Sequence, residues 1–297
     1  MSVELLDAEN STRIGTLARV DVDELGRRQR ASLHLEGQTG LHSPAEALAF
    51  MQHVGIALRY GAASSLPLAS MYRATQRHVP EPEDEKLAHA RAFELTNALL
   101  QGGQVVEINL IAERLSLAHE RVLPVVYALR RRSQESRLSA AAGEAFRFIE
   151  ANESATSGDI RRLLRAEGQP RPDAADLALS ELQRELLVDR GPSSGLSTGV
   201  FYLSREGYPY RVFSTAHAGI ILSASRLSRT EAARDLLTAY LSAAVFATER
   251  QLATLFKALL QLDEIRTCVQ GLEEQGVVKR VQKLIVARTS TETERAG

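Results

Sequence analysis

Tryptophan is absent from this chain, cysteine occurs once, and aromatic residues make up only 5% of it. With Cys268 alone, an internal disulfide is excluded, and no Cys/His cluster offers the spacing of a zinc site. Cys268 falls in an apolar helical pattern and reads as a small core residue. Long apolar runs are missing too, so no membrane-spanning helix is expected. The stretch Met1 to Glu24 carries acids and has no signal-peptide core, which makes the cytoplasm the expected location. A basic surplus is also lacking: the formal net charge is -1, which by itself does not favour nucleic-acid binding. The seven histidines, His34, His42, His53, His78, His89, His119 and His217, show no pair at metal-site spacing. Neither a metal nor a cofactor is expected.

What is present is a recurring pattern. An amphipathic helix leads to a shorter helix, a break, a helix ending in charge, and a short β-like tail. The clearest copy is Leu227 to Val286, Ala141 to Leu203 is another, and Asp84 to Arg137 is the faintest. A helix pair followed by a hairpin is the layout of a winged helix-turn-helix, which usually offers its second helix to DNA. The fold class expected is mainly α with small β-hairpin wings, built as tandem winged helix-turn-helix units. The 297 residues suffice for two or three such domains. Their expected bounds are an N-terminal segment at 1–35, a first winged-helix-like region at 36–137, a second at 138–206, a connector at 207–227, a third at 228–288, and a disordered tail at 289–297.

Local signals set the expected elements. Ser43-Pro-Ala-Glu46, Ser228-Arg-Thr-Glu231 and Thr248-Glu-Arg-Gln251 are capping boxes that open helices. Ser157 is read as the cap of a helix at 158–166, and 173–187 as the second module's recognition helix. Strands are read at Thr16 to Val22 and Ser32 to Leu35. A helix is read at Glu107 to Leu115, with a turn at Ser116 to Ala118 and a helix at Glu120 to Arg132. The second hairpin is read as Val188 to Arg190 pairing with Val200 to Leu203. Tyr208 to Arg211 reads as a turn, Ala218 to Leu222 as a strand or short helix, and Val277 to Val286 as the last hairpin.

Basic patches lie on this neutral chain. Arg130, Arg131, Arg132, Arg161, Arg162, Arg171, Arg184, Lys279, Arg280 and Lys283 are the expected phosphate contacts. An ordinary solvated face, or favourable placement at helix C-termini, explains many of the same positions. The run Gly26 to Arg30 is a further exposed basic stretch, read either as solvated surface or as a phosphate-contacting arm. The partner expected is double-stranded DNA, with no membrane; a homodimer is left open, as is association with the nucleoid.

No specific catalytic constellation is present. Gly191-Pro-Ser-Ser-Gly195 matches the letters of a nucleophile elbow, but it sits in a Gly/Ser-rich turn rather than between strand and helix. The stretch from Ser43 to Thr75 resembles the opening unit of a bacterial tandem winged-helix family. That family includes DNA glycosylases that excise alkylated purines and unhook interstrand crosslinks. Ser180 to Pro192 with Gly199 to Arg205 resembles its middle wing, and Ala233 to Val278 its last winged helix. The resemblance implies a Gln, an apolar residue and an Asp or Gln in the first unit that position the attacking water. The nearest match is Gln52-His53-Val54. Valine neither orients nor deprotonates water, so the reading reached from sequence is a divergent, non-catalytic DNA-binding relative linked to repair. A glycosylase acting on damaged bases through Gln52, His53 or Glu107 is the alternative, and a transcription regulator or interaction scaffold a further one.

Overall fold

The structure is a computed structural model that describes residues 22–35, 40–61, 66–76, 85–131, 138–192 and 207–288, side chains at 85, 86 and 131 excepted. It is mainly α-helical, with small three-stranded antiparallel sheets. One element order recurs: helix, strand, two helices, two strands. The first module holds α2 (Pro44–Val54), β1 (Ile56–Leu58), α3 (Met71–Thr75), α4 (Glu85–Gly102), β2 (Val105–Ile111) and β3 (Arg114–His119). The second holds α6 (Ala140–Ala151), β4 (Ser154–Thr156), α7 (Ser157–Leu163), α8 (Ala174–Arg184), β5 (Val188–Arg190) and β6 (Pro209–Val212). The third holds α11 (Arg229–Ala244), β7 (Phe246–Thr248), α12 (Glu249–Phe256), α13 (Leu262–Glu274), β8 (Val278–Val281) and β9 (Leu284–Ala287). In every sheet the last strand lies between the other two. Connecting and flanking helices are α1 (Val22–Ser32), α5 (Leu123–Arg131), α9 (Phe213–Ala216) and α10 (Ala218–Ser225).

The repeat has a local cause. Each first helix ends at a residue with positive φ, namely Gly55 (70°), Glu153 (62°) and Val245 (66°), which turns the chain straight into the first strand. That strand centres on an alanine, and Ala57, Ala155 and Ala247 face Leu117, Tyr210 and Ile285 across the sheet. A small residue there lets a bulky central-strand partner fill the core. Val245 holds its unfavourable φ because it is packed with Leu25 and Val286. In the second and third modules the next helix is capped by the threonine that ends the first strand, Thr156 and Thr248.

Several expected elements are corrected. Glu107 to Leu115 is not a helix, and Ser116 to Ala118 is not a turn; both belong to the β2–β3 hairpin. The run Val106-Glu-Ile-Asn-Leu110 alternates apolar and polar residues as a strand does, and its polar members Glu107 and Asn109 are turned toward the second module rather than to solvent. The first repeat therefore starts at Pro44 rather than Asp84. The cap of α7 is Thr156 rather than Ser157. β5 pairs with β6, the segment read as a turn, while 193–206 lie outside the described residues. Ser32 closes a helix rather than opening a strand. Residues 16–21, 77–84, 132–137 and 289–297 also lie outside those described. The helix option for 218–222, the three capping boxes and the last hairpin match the structure. Pro124 falls in the first turn of α5, where its missing N–H costs nothing.

The first and third modules share one apolar core, in which Leu237, Tyr240 and Leu241 of α11 join Met51, Leu117 and Leu129. The second module has its own core around Ile149, Ile160, Leu179 and Leu182. It meets the rest of the chain through polar contacts and through Leu186 and Phe213, which are buried in the shared core, and this junction positions the site.

Candidate functional site

Glu107 lies mid-way along β2 and is fully buried. Its Oε2 accepts from Arg59 Nη1 at 2.5 Å and also from Arg190 Nη2. Arg59 directly follows β1, and its backbone N–H is fixed by Leu115. Arg190 ends β5 of the second module. The carboxylate thus ties together segments 48 and 83 residues away in sequence. Tyr208 completes the cluster: its hydroxyl accepts from Arg59 Nη2 at 3.2 Å, and its ring lies 3.9 Å from the Arg190 guanidinium carbon.

Burial raises the carboxyl pKa of Glu107, but the charges of Arg190 and Arg59 outweigh it and hold the group below the usual carboxylate range. Burial likewise opposes the charge on Arg59, and Glu107 more than restores it. Two guanidiniums against one carboxylate leave the cluster with a positive charge. Glu107 Oε1 and Arg190 Nε find no hydrogen-bond partner among the described residues. An ionised carboxylate held this firmly is a poor general base near neutral pH; its chemistry is to fix Arg59 and Arg190.

Above the cluster opens a shallow cleft lined by Arg59, Tyr60, His89, Ala92 and Phe93. Tyr60 is half-exposed, and His89 stacks on Tyr72 at 4.1 Å. The Arg59 guanidinium carbon lies 5.5 Å from the Tyr60 ring centroid and 5.7 Å from that of Phe93, which leaves the half-exposed Tyr60 as the aromatic edge facing solvent.

A second polar group braces the same module. Asp189, next to Arg190, accepts from Arg211 Nη2 at 3.0 Å and lies 2.8 Å from His217 Nε2. Burial pushes the Asp189 carboxyl up, and bonds from His217 and Arg211 pull it down further, so its pKa is depressed. Glu107 and Asp189 therefore both titrate lower folded than unfolded. Their stabilisation is complete above the unfolded carboxylate range of about 4 and is lost as pH falls through the lower folded values. Urea titrations between neutral pH and pH of about 3 are expected to show stability falling with acid. Asp189→Asn should flatten that slope, and an unchanged slope would remove Asp189 from the account.

The expected site residues disperse. Gln52 and His53 are exposed on the last turn of α2, and Val54 is buried. His53 Nε2 lies 2.9 Å from Ser32 Oγ, and its carbonyl accepts from Arg121 at 2.8 Å. Among the described residues no hydrogen bond or ion pair joins either to Glu107. Arg130 is largely buried against Glu185 and donates to the Arg184 carbonyl at 2.9 Å, while the Arg184 side chain is exposed. Arg161 is largely buried and bound by Asp173 (2.7 Å) and Asp176. Arg162 pairs with Asp159 at 2.5 Å, and exposed Arg171 lies 3.9 Å from Asp176. Exposed Arg280 pairs with Glu249 (2.9 Å) and Glu273 (3.2 Å); Lys283 is exposed and Lys279 half-buried. The Arg131 side chain and Arg132 are outside the described residues. Arg27, in the basic run, lies in α1 and pairs with Glu24 at 2.6 Å.

Sequence reasoning did not find Arg59, Arg190, Tyr208, Tyr60 or Phe93. The one available signal was an arginine closing an apolar strand run, Ile56-Ala-Leu-Arg59, which calls for a buried partner. No helix among the described residues is long and apolar enough to cross a membrane, and no group of metal-ligating side chains occurs among them.

Comparison with known proteins gives two findings. The model of the family described as DNA glycosylase AlkZ-like matches residues 86–291. The solved structure of Streptomyces sahachiroi DNA glycosylase AlkZ is similar to this one, with a TM-score of 0.50 at 12% identity, covering 90% of this chain and 71% of that one. At that identity the likeness is one of fold. No curated protein matches the chain at a significant level.

Proposed function

We propose that this chain, which belongs to the DNA glycosylase AlkZ-like family, binds duplex DNA and hydrolyses the glycosidic bond of a damaged base. The observation that carries the reading is the family match, which runs from α4 to the end of the third module and takes in Glu107, Arg190 and Tyr208. Each helix–strand–helix–helix–strand–strand module is read as a winged helix-turn-helix, an architecture suited to tracking a duplex. The strand order common to the sheets supports that reading.

A base inside a duplex is out of reach, so the target nucleotide must be extruded at a cost of a few kcal/mol. Stacking on an aromatic face returns about 1–3 kcal/mol per base. Half-exposed Tyr60, at the rim of the cleft, is the aromatic side chain we assign to that stacking; the cleft itself, about 40 Å³, would have to widen to admit a base. Glu107 holds Arg59 at its floor and takes no proton. Gln52 and His53, exposed on α2, are left to orient the attacking water.

A second reading is favoured by one observation. Val54, where the resemblance implies an acid or amide, is buried, and the family match begins after this segment. A member that holds lesions without excising them fits that residue. A duplex carrying an alkylated purine separates the readings. Release of the free base above the spontaneous rate, reduced about 100-fold or more in Gln52→Ala or His53→Ala, supports excision. Tight lesion binding with no release supports the second reading. Neither binding nor release sinks both.

A further inference from the structure

We infer that the third module is the one that grips the DNA backbone, through the groove between its hairpin turn and the starts of α12 and α13. This rests on the reading that the chain binds duplex DNA and says which of three similar modules makes the phosphate contacts. The three corresponding faces differ in what already occupies them.

In the first module the hairpin turn is docked on its own chain. The Ala112 N–H donates to the Leu255 carbonyl at 2.8 Å, and Glu113 pairs with Lys257 at 2.7 Å. That turn is committed to holding the first module on the third. In the second module Arg161 and Arg171 face Asp173 and Asp176, and Arg162 faces Asp159, while Arg165 and Arg184 are exposed without an ion pair among the described residues at the C-terminal ends of α7 and α8. Arg161 is largely enclosed.

The third module differs. A groove of about 650 Å³ is lined by Arg250, Arg266, Arg280 and Lys283, with Glu249 the acid among the lining residues. Asp263 and Glu273, at its margin, also pair with Arg266 and Arg280. Arg250 and Lys283 are exposed and make no ion pair among the described residues. Leu262 is 41% exposed at the start of α13 and offers an apolar edge to a sugar or base. The groove thus presents cations on a turn, on two helix starts and on a strand, spread over a surface rather than packed at a point. A run of phosphates at regular spacing complements that spread; a single small anion does not.

The test compares two triple variants of the full chain on an undamaged DNA duplex about two helical turns long. One is Arg250→Ala, Arg266→Ala, Lys283→Ala; the other is Arg162→Ala, Arg171→Ala, Arg184→Ala. All six side chains are at least partly exposed, and a thermal melt of each variant checks that it folds. Binding is followed by fluorescence anisotropy over roughly 50 to 200 mM salt. The third-module triple should lose affinity about tenfold or more and lower the slope of log K against log salt by about 2–3. The second-module triple should bind within about twofold of the unmodified chain, with its slope unchanged. A third-module triple that binds with undiminished affinity and slope overturns the inference while leaving DNA binding standing. So does an equal loss in the second-module triple. An unmodified chain that binds no duplex at any salt overturns both this inference and the reading beneath it.

Discussion

Glu107→Ala is expected to destabilise the protein by about 3–5 kcal/mol, because it strands two buried guanidiniums without their counter-charge. Arg59 is 4% exposed and Arg190 8%, so neither reaches water to recover what it loses. The loss should appear in urea unfolding as a lower midpoint at neutral pH. Glu107→Gln keeps the shape and one acceptor, and should cost less. The decisive control replaces all three groups with apolar residues, Glu107→Leu with Arg59→Met and Arg190→Met. If the cost of Glu107→Ala is the uncompensated charge, the triple recovers most of it. A loss below about 1 kcal/mol for Glu107→Ala would mean that the cluster is solvated and does not bind the modules together.

Phe213→Ala should cost a similar about 3–5 kcal/mol, for a different reason. Phe213 follows the last strand of the second module, yet it is fully buried in the core of the first and third. Its N–H donates to the Leu187 carbonyl at 2.9 Å, and its ring stacks on Tyr127 of α5 with centroids 5.5 Å apart. With Leu186 it is an apolar link from the second module to the shared core, as Glu107 is a polar one. Truncation leaves a cavity where three elements meet, and little of it can collapse. Hydrogen exchange should show the second module opening more readily, while protection in α11 falls less. Uniform loosening of all three modules would count against Phe213 as a junction residue.

Much of the helical framework is legible in the sequence because it is set locally. Ser43, Ser228 and Thr248 bond backbone groups three residues ahead, and the acid or amide at that spacing bonds back. Val106 to Leu110 does carry the period of two that marks a strand, and β-branched Val105, Val106, Ile108 and Ile111 agree with it; a helix reading there sets aside a local signal that the structure obeys. Pro209 reads as a turn former, yet a proline is tolerated as the first residue of a strand, and here it opens β6. Gln52 and His53 are legible as candidates by residue type; a lone arginine such as Arg59 or Arg190 says nothing in the sequence about what it meets.

The sequence by itself determined the recurrence of one helical module, its caps, the lack of metal-ligand spacing and the resemblance to glycosylases. All of these depend on residues within a few positions of one another or on pattern along the chain. Only the tertiary structure decided that Glu107 binds Arg59 and Arg190, that one hairpin turn is docked internally, and that the third module's groove stays open. Such contacts join residues tens to hundreds of positions apart. Whether a charge is buried, paired or exposed is a property of what the folded chain brings beside it, not of the residue's own neighbours.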